Sequence, residues 1–143
     1  MVKFHAVIDT NMLYTGLRSQ HGASHRLLRE VGNYDAFQIH LSVPLVLEYE
    51  ELARRHARTL KLSYQDIDDI LDYLCSVAGL HNVFYLWRPF LPDPADDMLL
   101  ELAVEAGCNR IITFNLKDFA GIEQFGLKAV EPRQFLNEIG ALP

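Results

Sequence analysis

The chain is 143 residues long, half of them hydrophobic and 22% charged, with a formal net charge of −6. That length is expected to form one domain, residues 1–143, with room for a proper core, and the composition is that of an ordinary globular protein. The acidic balance argues against a protein that simply coats nucleic acid, which would be basic, but it permits carboxylates gathered around a cation.

The first predicted element is a buried strand at FHAVI (4–8), ending in the helix start DTN. A second strand is expected at AFQIHLSV (36–43), followed by a helix through PLVLEYEELARRHA with Pro44 in its first turn. Ser63 opens SYQDIDDILDYLCSVAG, where Ile67, Ile70, Leu71 and Leu74 recur at helical spacing and Gly79 ends the pattern. NVFYL (82–86) reads as a third strand, and the loop WRPFLPDP carries three prolines. A helix from Asp96 to Ala106 stops at Gly107, RIIT (110–113) is a fourth strand and LKAV (127–130) a fifth. A short helix with Pro132 early and Phe135, Leu136 and Ile139 inward closes the chain.

Short apolar strands alternating with amphipathic helices predict a parallel sheet covered on both faces, an α/β class in which ligands bind beyond the carboxyl ends of the strands. No apolar run is long enough for a membrane span, and MVKFHAVIDTNM lacks the core and cleavage site of a signal peptide. Cys75 and Cys108 stand alone without CxxC spacing, so a reduced, cytoplasmic setting is expected. The six histidines show no zinc-ligand spacing.

Asp9 falls just past the first strand and Asn115 just past the fourth, which puts both at the carboxyl edge of such a sheet. Glu48 flanks the stripe of Leu45, Tyr49, Leu52 and Ala53, whereas Glu50 and Glu51 point toward solvent. In DPADDMLLELA (93–103), Asp93 is an N-cap and Pro94 suits the first helical position. Leu99, Leu102, Ala103 and Ala106 make the inward stripe; Asp96 projects about 60° from Leu99 and Asp97 about 160° from it, so Asp96 leans toward the sheet and Asp97 outward. In ARRHARTLK (53–61), Arg54, Arg58 and Lys61 share one helix face, which reads either as a solvated face or as a rail for RNA phosphates.

With Asp9, Glu48, Asp96 and Asn115 in place, the chain resembles the PIN-domain family, of the sort found as VapC-like toxins in toxin–antitoxin pairs. VIDTNMLYTGL resembles the family's opening strand and first acid. LSVPLVLEYEELARR resembles the segment with a serine six residues before its glutamate, and DPADDMLLELAVEAGCNRIITFNLKDF its helix–strand signature, with Asp96 seven residues before Ala103. GLKAVEPRQFLNEIG resembles the usual ending. The resemblance implies a three-layer α/β/α fold with five parallel strands in the order 3-2-1-4-5. It also implies divalent-metal-dependent cleavage of RNA as a toxin, an antitoxin partner and a homodimer.

Carried onto this chain, Asp9, Glu48 and Asp96 are the acidic ligands and catalytic residues for Mg²⁺ or Mn²⁺. Asn115 stands where many relatives have a further aspartate, with Asp118 a substitute, and Thr113 and Asn11 support the site. Hard carboxylate oxygens suit these ions, and hydrolysis at phosphorus would leave a 5′ phosphate and a 3′ hydroxyl. Two other readings stay open: a non-catalytic PIN-like module that binds RNA or protein, and an aspartyl-nucleophile phosphatase. The second wants an acid two residues after Asp9, where this chain has Asn11. Neither a P-loop, a GxGxxG run nor a GxSxG elbow is present.

Overall fold

The computed structural model describes residues 4–33, 35–83 and 90–141. The elements in chain order are β1 (Phe4–Ile8), α1 (Thr10–Arg18), α2 (Ala23–Glu30), β2 (Phe37–Ser42), α3 (Val43–Arg55), α4 (Ala57–Leu60), α5 (Tyr64–Val77) and β3 (Gly79–His81). They continue with α6 (Pro94–Glu105), β4 (Arg110–Ile112), two 3₁₀ turns (Leu116–Phe119 and Ile122–Phe125), β5 (Lys128–Val130) and α7 (Pro132–Glu138). The five strands pair in parallel throughout, in the order β3-β2-β1-β4-β5.

Pleat alternation divides the sheet into two faces. Phe4 and Phe37 are paired in register and both meet Phe135 of α7, with ring centroids 5.6 and 5.2 Å apart. Helices α7, α2, α1, α3 and α5 touch in succession and cover this face, while α6 packs on β1, β2 and β4 from the other side. The central strands are apolar and buried, with Ala6, Val7, Ile111, Ile112 and Val130 all closed to solvent. The result is the expected α/β/α layering.

Two expectations move. The third strand lies at Gly79–His81, not at 82–86, where Asn82 and Val83 are outside any strand and 84–86 fall outside the described residues. Gly79, expected to end the helix, instead pairs with His40 in the sheet. A Cβ there would lie 2.5 Å from His40 Nδ1, so the histidine ring occupies the space that any other residue's side chain would need. The second change is a break after Arg55. His56 leaves helical geometry, and a separate short helix ends at Lys61 in the left-handed region, φ 58°.

The helix around Ile67 to Leu74 turns its stripe into the core, with Ile67, Leu71 and Leu74 all buried. Its N-terminus is a complete capping box between Ser63 and Asp66.

Candidate active site

β1 runs out at Ile8, and Asp9 stands at the first residue beyond it, buried to 7% exposure. Its amide is still held by the strand, donating to the Ile112 carbonyl at 2.9 Å. The side chain makes no regular capping bond to α1, although the Thr10 and Asn11 amides at the start of that helix help to hold its charge. The Thr113 hydroxyl, fully buried past the end of β4, donates to Asp9 Oδ2 at 2.7 Å and accepts from the Asn115 amide at 3.0 Å. Thr113 therefore fixes one carboxylate oxygen and the loop that carries Asn115.

Glu48 comes from α3, whose start is set by the Ser42 hydroxyl accepting from the Leu45 amide at 3.4 Å. The next residue, Tyr49, is buried and donates to the Ile8 carbonyl, which ties α3 to the last residue of β1. Asp96 sits in the first turn of α6, where Pro94 is pre-shaped for the helix and Asp93 accepts from the Ala95 amide at 2.9 Å.

These pieces line one open cleft of about 270 Å³, bordered by Asp9, Asn11, Glu48, Asp93, Asp96, Asn115 and Asp118. The structure thus brings together the three acids singled out from sequence, together with Asn115, Asp118, Asn11 and, behind Asp9, Thr113. Three participants were not anticipated. The Thr10 hydroxyl bonds to Glu48, and Glu51 and Arg55, paired at 2.6 Å, stand at the rim. Thr10 had a visible signal, since it adjoins Asp9; Glu51 was read as solvent-facing and does lie exposed, but on the cleft.

The electrostatics follow from crowding. Burial, and then the charges of Asp9, Asp93, Asp118 and Glu48, together push the Asp96 carboxyl up from 3.8 to about 7. Asp9 is raised by burial against the lowering pull of the Thr113 hydroxyl, and Glu48 is raised by burial against that of Thr10. Like charges this close favour either a proton or a cation.

Two sequence expectations are corrected here. Asp97 does not face solvent: it is 2% exposed, and its Oδ1 accepts from the Leu91 amide at 2.8 Å and the Phe90 amide at 3.3 Å. A helical wheel assumes one buried face, but the amides at 90 and 91 bond to Asp97 on the far side of α6, where Leu100 and Glu101 are buried as well. The proposed basic rail is not one face either, because the helix breaks at His56. Arg54 is held by Asp68 at 2.9 Å and Glu50 at 3.6 Å and stacks on Tyr64, while Arg58 and Lys61 lie exposed on the separate short helix and its cap.

The cleft fits a hard divalent cation in donor chemistry, being rich in carboxylate oxygens that repel one another when empty of positive charge. Among the described residues, no group of three or more His, Cys, Asp or Glu is already arranged to hold an ion. The side chains converge on one cleft but would have to draw together around it.

A family model described as "PIN domain" matches residues 5–117. No curated protein sequence matches the chain. Among solved structures, the crystal structure of VapBC2 from Rickettsia felis bound to a DNA fragment from their promoter is similar, with a TM-score of 0.59 and 11% identity. The match covers 89% of this chain and 98% of that one, and at such identity it speaks to the fold. Matched over most of its length by the family model, with that family's strand order and an acidic cleft beyond the strands' carboxyl ends, this chain belongs to the PIN domain family.

Proposed function

We propose that the protein is a divalent-metal-dependent endoribonuclease, the toxin of a toxin–antitoxin pair. The observation that carries this reading is the single cleft into which Asp9, Glu48, Asp96 and Asp118 converge from four separate parts of the chain. Asp9, Glu48 and Asp96 would hold Mg²⁺ or Mn²⁺, with Asn115 and Asp118 at the margin. The ion, when bound, supplies positive charge that offsets the carboxylates and polarises a substrate phosphodiester.

The chain's own residues do the rest. Thr113 holds Asp9 in one orientation through the 2.7 Å bond. Tyr49 pins α3 to the end of β1, so Glu48 and Asp9 keep their relation. Arg55, released from Glu51, is the cation at the rim that can meet a backbone phosphate. Asn115 contributes an uncharged amide, so the site carries one negative charge fewer than it would with an aspartate there.

Purified protein incubated with structured and single-stranded RNAs is expected to cleave in Mn²⁺, with cleavage lost in EDTA and in Asp9→Asn. Cleavage that survives either change overturns the proposal. RNA binding without cleavage under every metal condition favours the non-catalytic reading that Asn115 keeps open.

The proposed partners are RNA, an antitoxin and a second copy of the chain. Support for an antitoxin seat is a groove of about 1100 Å³ with an apolar floor, including Leu13, Leu17, Leu28 and Ile70, and a basic rim of Arg18, Arg29 and Lys61. Support for a homodimer is the exposed apolar trio Val43, Leu47 and Leu80 around one shallow depression. Light scattering is expected to give a dimer at micromolar concentrations, and a monomer throughout that range removes the dimer. Among the described residues no helix is long and apolar enough to cross a membrane, and action on cellular RNA makes the cytoplasm the proposed location.

A further inference from the structure

We propose that His5, His40 and His81 form one proton-sharing row that latches the β1–β2–β3 side of the sheet and loosens it in acid. Each histidine comes from a different strand. His5 Nδ1 lies 2.9 Å from His40 Nε2, and His40 Nδ1 lies 2.8 Å from His81 Nε2. The rings follow one another at centroid distances of 5.1 and 5.0 Å. Strand alternation puts all three on the face that α6 covers, away from Phe4 and Phe37, and the register leaves Gly79 beside His40 to make room.

The bonding pattern counts protons. Each close pair of ring nitrogens needs one N–H and one bare nitrogen. A neutral row meets that rule in two ways, with every Nδ1 protonated or every Nε2 protonated. One added proton still leaves both bonds intact. A second sets an N–H against an N–H and places like charges about one ring apart, so at least one interstrand bond breaks.

Among the described residues, the surroundings give that charge no relief. His40 is 6% exposed, and burial, then the charges of His81 and His5, push it down from 6.5 to about 4. The helix α6 carries Asp96, Asp97, Glu101 and Glu105 on its own face of the sheet. Behind the sheet, α3 carries Glu48, Glu50, Glu51, Arg54 and Arg55, and α5 carries Asp66, Asp68, Asp69 and Asp72. Among the described residues, the charged groups that move His40 are His81 and His5 alone. A depressed value means the folded chain binds the proton less readily than the unfolded one. The row's stabilisation is therefore whole above pH 6.5 and lost as pH falls toward about 4.

The test compares melting temperatures of the wild type, His40→Leu and His81→Gln, without metal, at both ends of that interval. Effects of the carboxylate cleft are common to all three proteins and cancel in the differences. The melting temperature of each variant relative to wild type is expected to rise by several degrees from the upper to the lower end. Curves that stay parallel overturn the proposal. Should neither variant fold, amide exchange in the wild type decides: after correction for intrinsic rates, protection at Leu80 and His81 is expected to fall in acid before that of β4 and β5. Uniform loss across the sheet overturns the latch.

Discussion

Asp96→Asn is expected to abolish metal-dependent RNA cleavage and, in metal-free buffer at high pH, to melt above the wild type. The two effects have one cause. Asp96 carries its charge among Asp9, Asp93, Asp118 and Glu48, and burial with those neighbours lifts its carboxyl from 3.8 to about 7. An acid raised in the fold binds its proton more tightly there than in the unfolded chain. Its destabilising contribution is therefore full above about pH 7 and fades as pH falls toward 3.8. The asparagine keeps the shape without the charge, so its advantage in melting temperature is greatest at high pH and closes on acidification.

Adding Mn²⁺ should reverse the order. A ligand that binds only the native state stabilises it by RT ln(1 + [L]/Kd), about 2.7 kcal/mol at a hundredfold excess over Kd. The wild type, with all its carboxylates, gains more of this than the variant. Activity should drop by at least about 10²-fold, the loss reached even when a partner that merely supports a metal ligand is removed. Melting curves with Mn²⁺ and with EDTA, run beside the cleavage assay, check all of this. An asparagine variant that melts lower than wild type without metal at high pH would make Asp96 a structural residue and sink this account of the cleft.

The sheet and the cleft acids were legible in the sequence for physical reasons. Parallel strands buried on both faces must be short apolar runs, and the crossovers between them must be helices, so the α/β layering follows from patterning alone. Asp9 is the first residue outside such a run, and Glu48 and Asp96 flank helical stripes. What sequence could not carry were features decided by other segments. A helical wheel assumes one buried face and so turns Asp97 outward, whereas the backbone amides at 90 and 91 bond to it on the far side of α6. The break at His56 has no glycine or proline to announce it, so ARRHARTLK reads as one continuous face. β3 shifted to Gly79–His81 because its glycine accommodates a histidine from the neighbouring strand, a contact between residues far apart in the chain. The histidine row was invisible for the same reason, its members being 35 and 41 positions apart.

The burial of Asp97 makes it the acid of DPADDMLLELA on which stability depends most. Asp93 caps α6 at the surface, through a single 2.9 Å bond to the Ala95 amide. Removing such a cap costs about 0.5–2 kcal/mol. Asp97 holds two amides, that of Leu91 fully buried and that of Phe90 partly so. Each buried group left without a partner costs about 1–3 kcal/mol, so Asp97→Ala is expected to lose about 2–4 kcal/mol. Asp97→Asn should lose much less. Its amide oxygen can still accept from both N–H groups, and the position its nitrogen takes, that of Oδ2, has no hydrogen-bond partner to lose among the described residues. Urea unfolding of the three variants separates these cases by midpoint at unchanged slope. The order Asp97→Ala, then Asp93→Ala, with Asp97→Asn near wild type and still able to cleave, identifies Asp97 as the fastening of residues 90–91 to α6. A larger loss in Asp93→Ala than in Asp97→Ala would show that the helix depends on its surface cap more than on the chain folded over it.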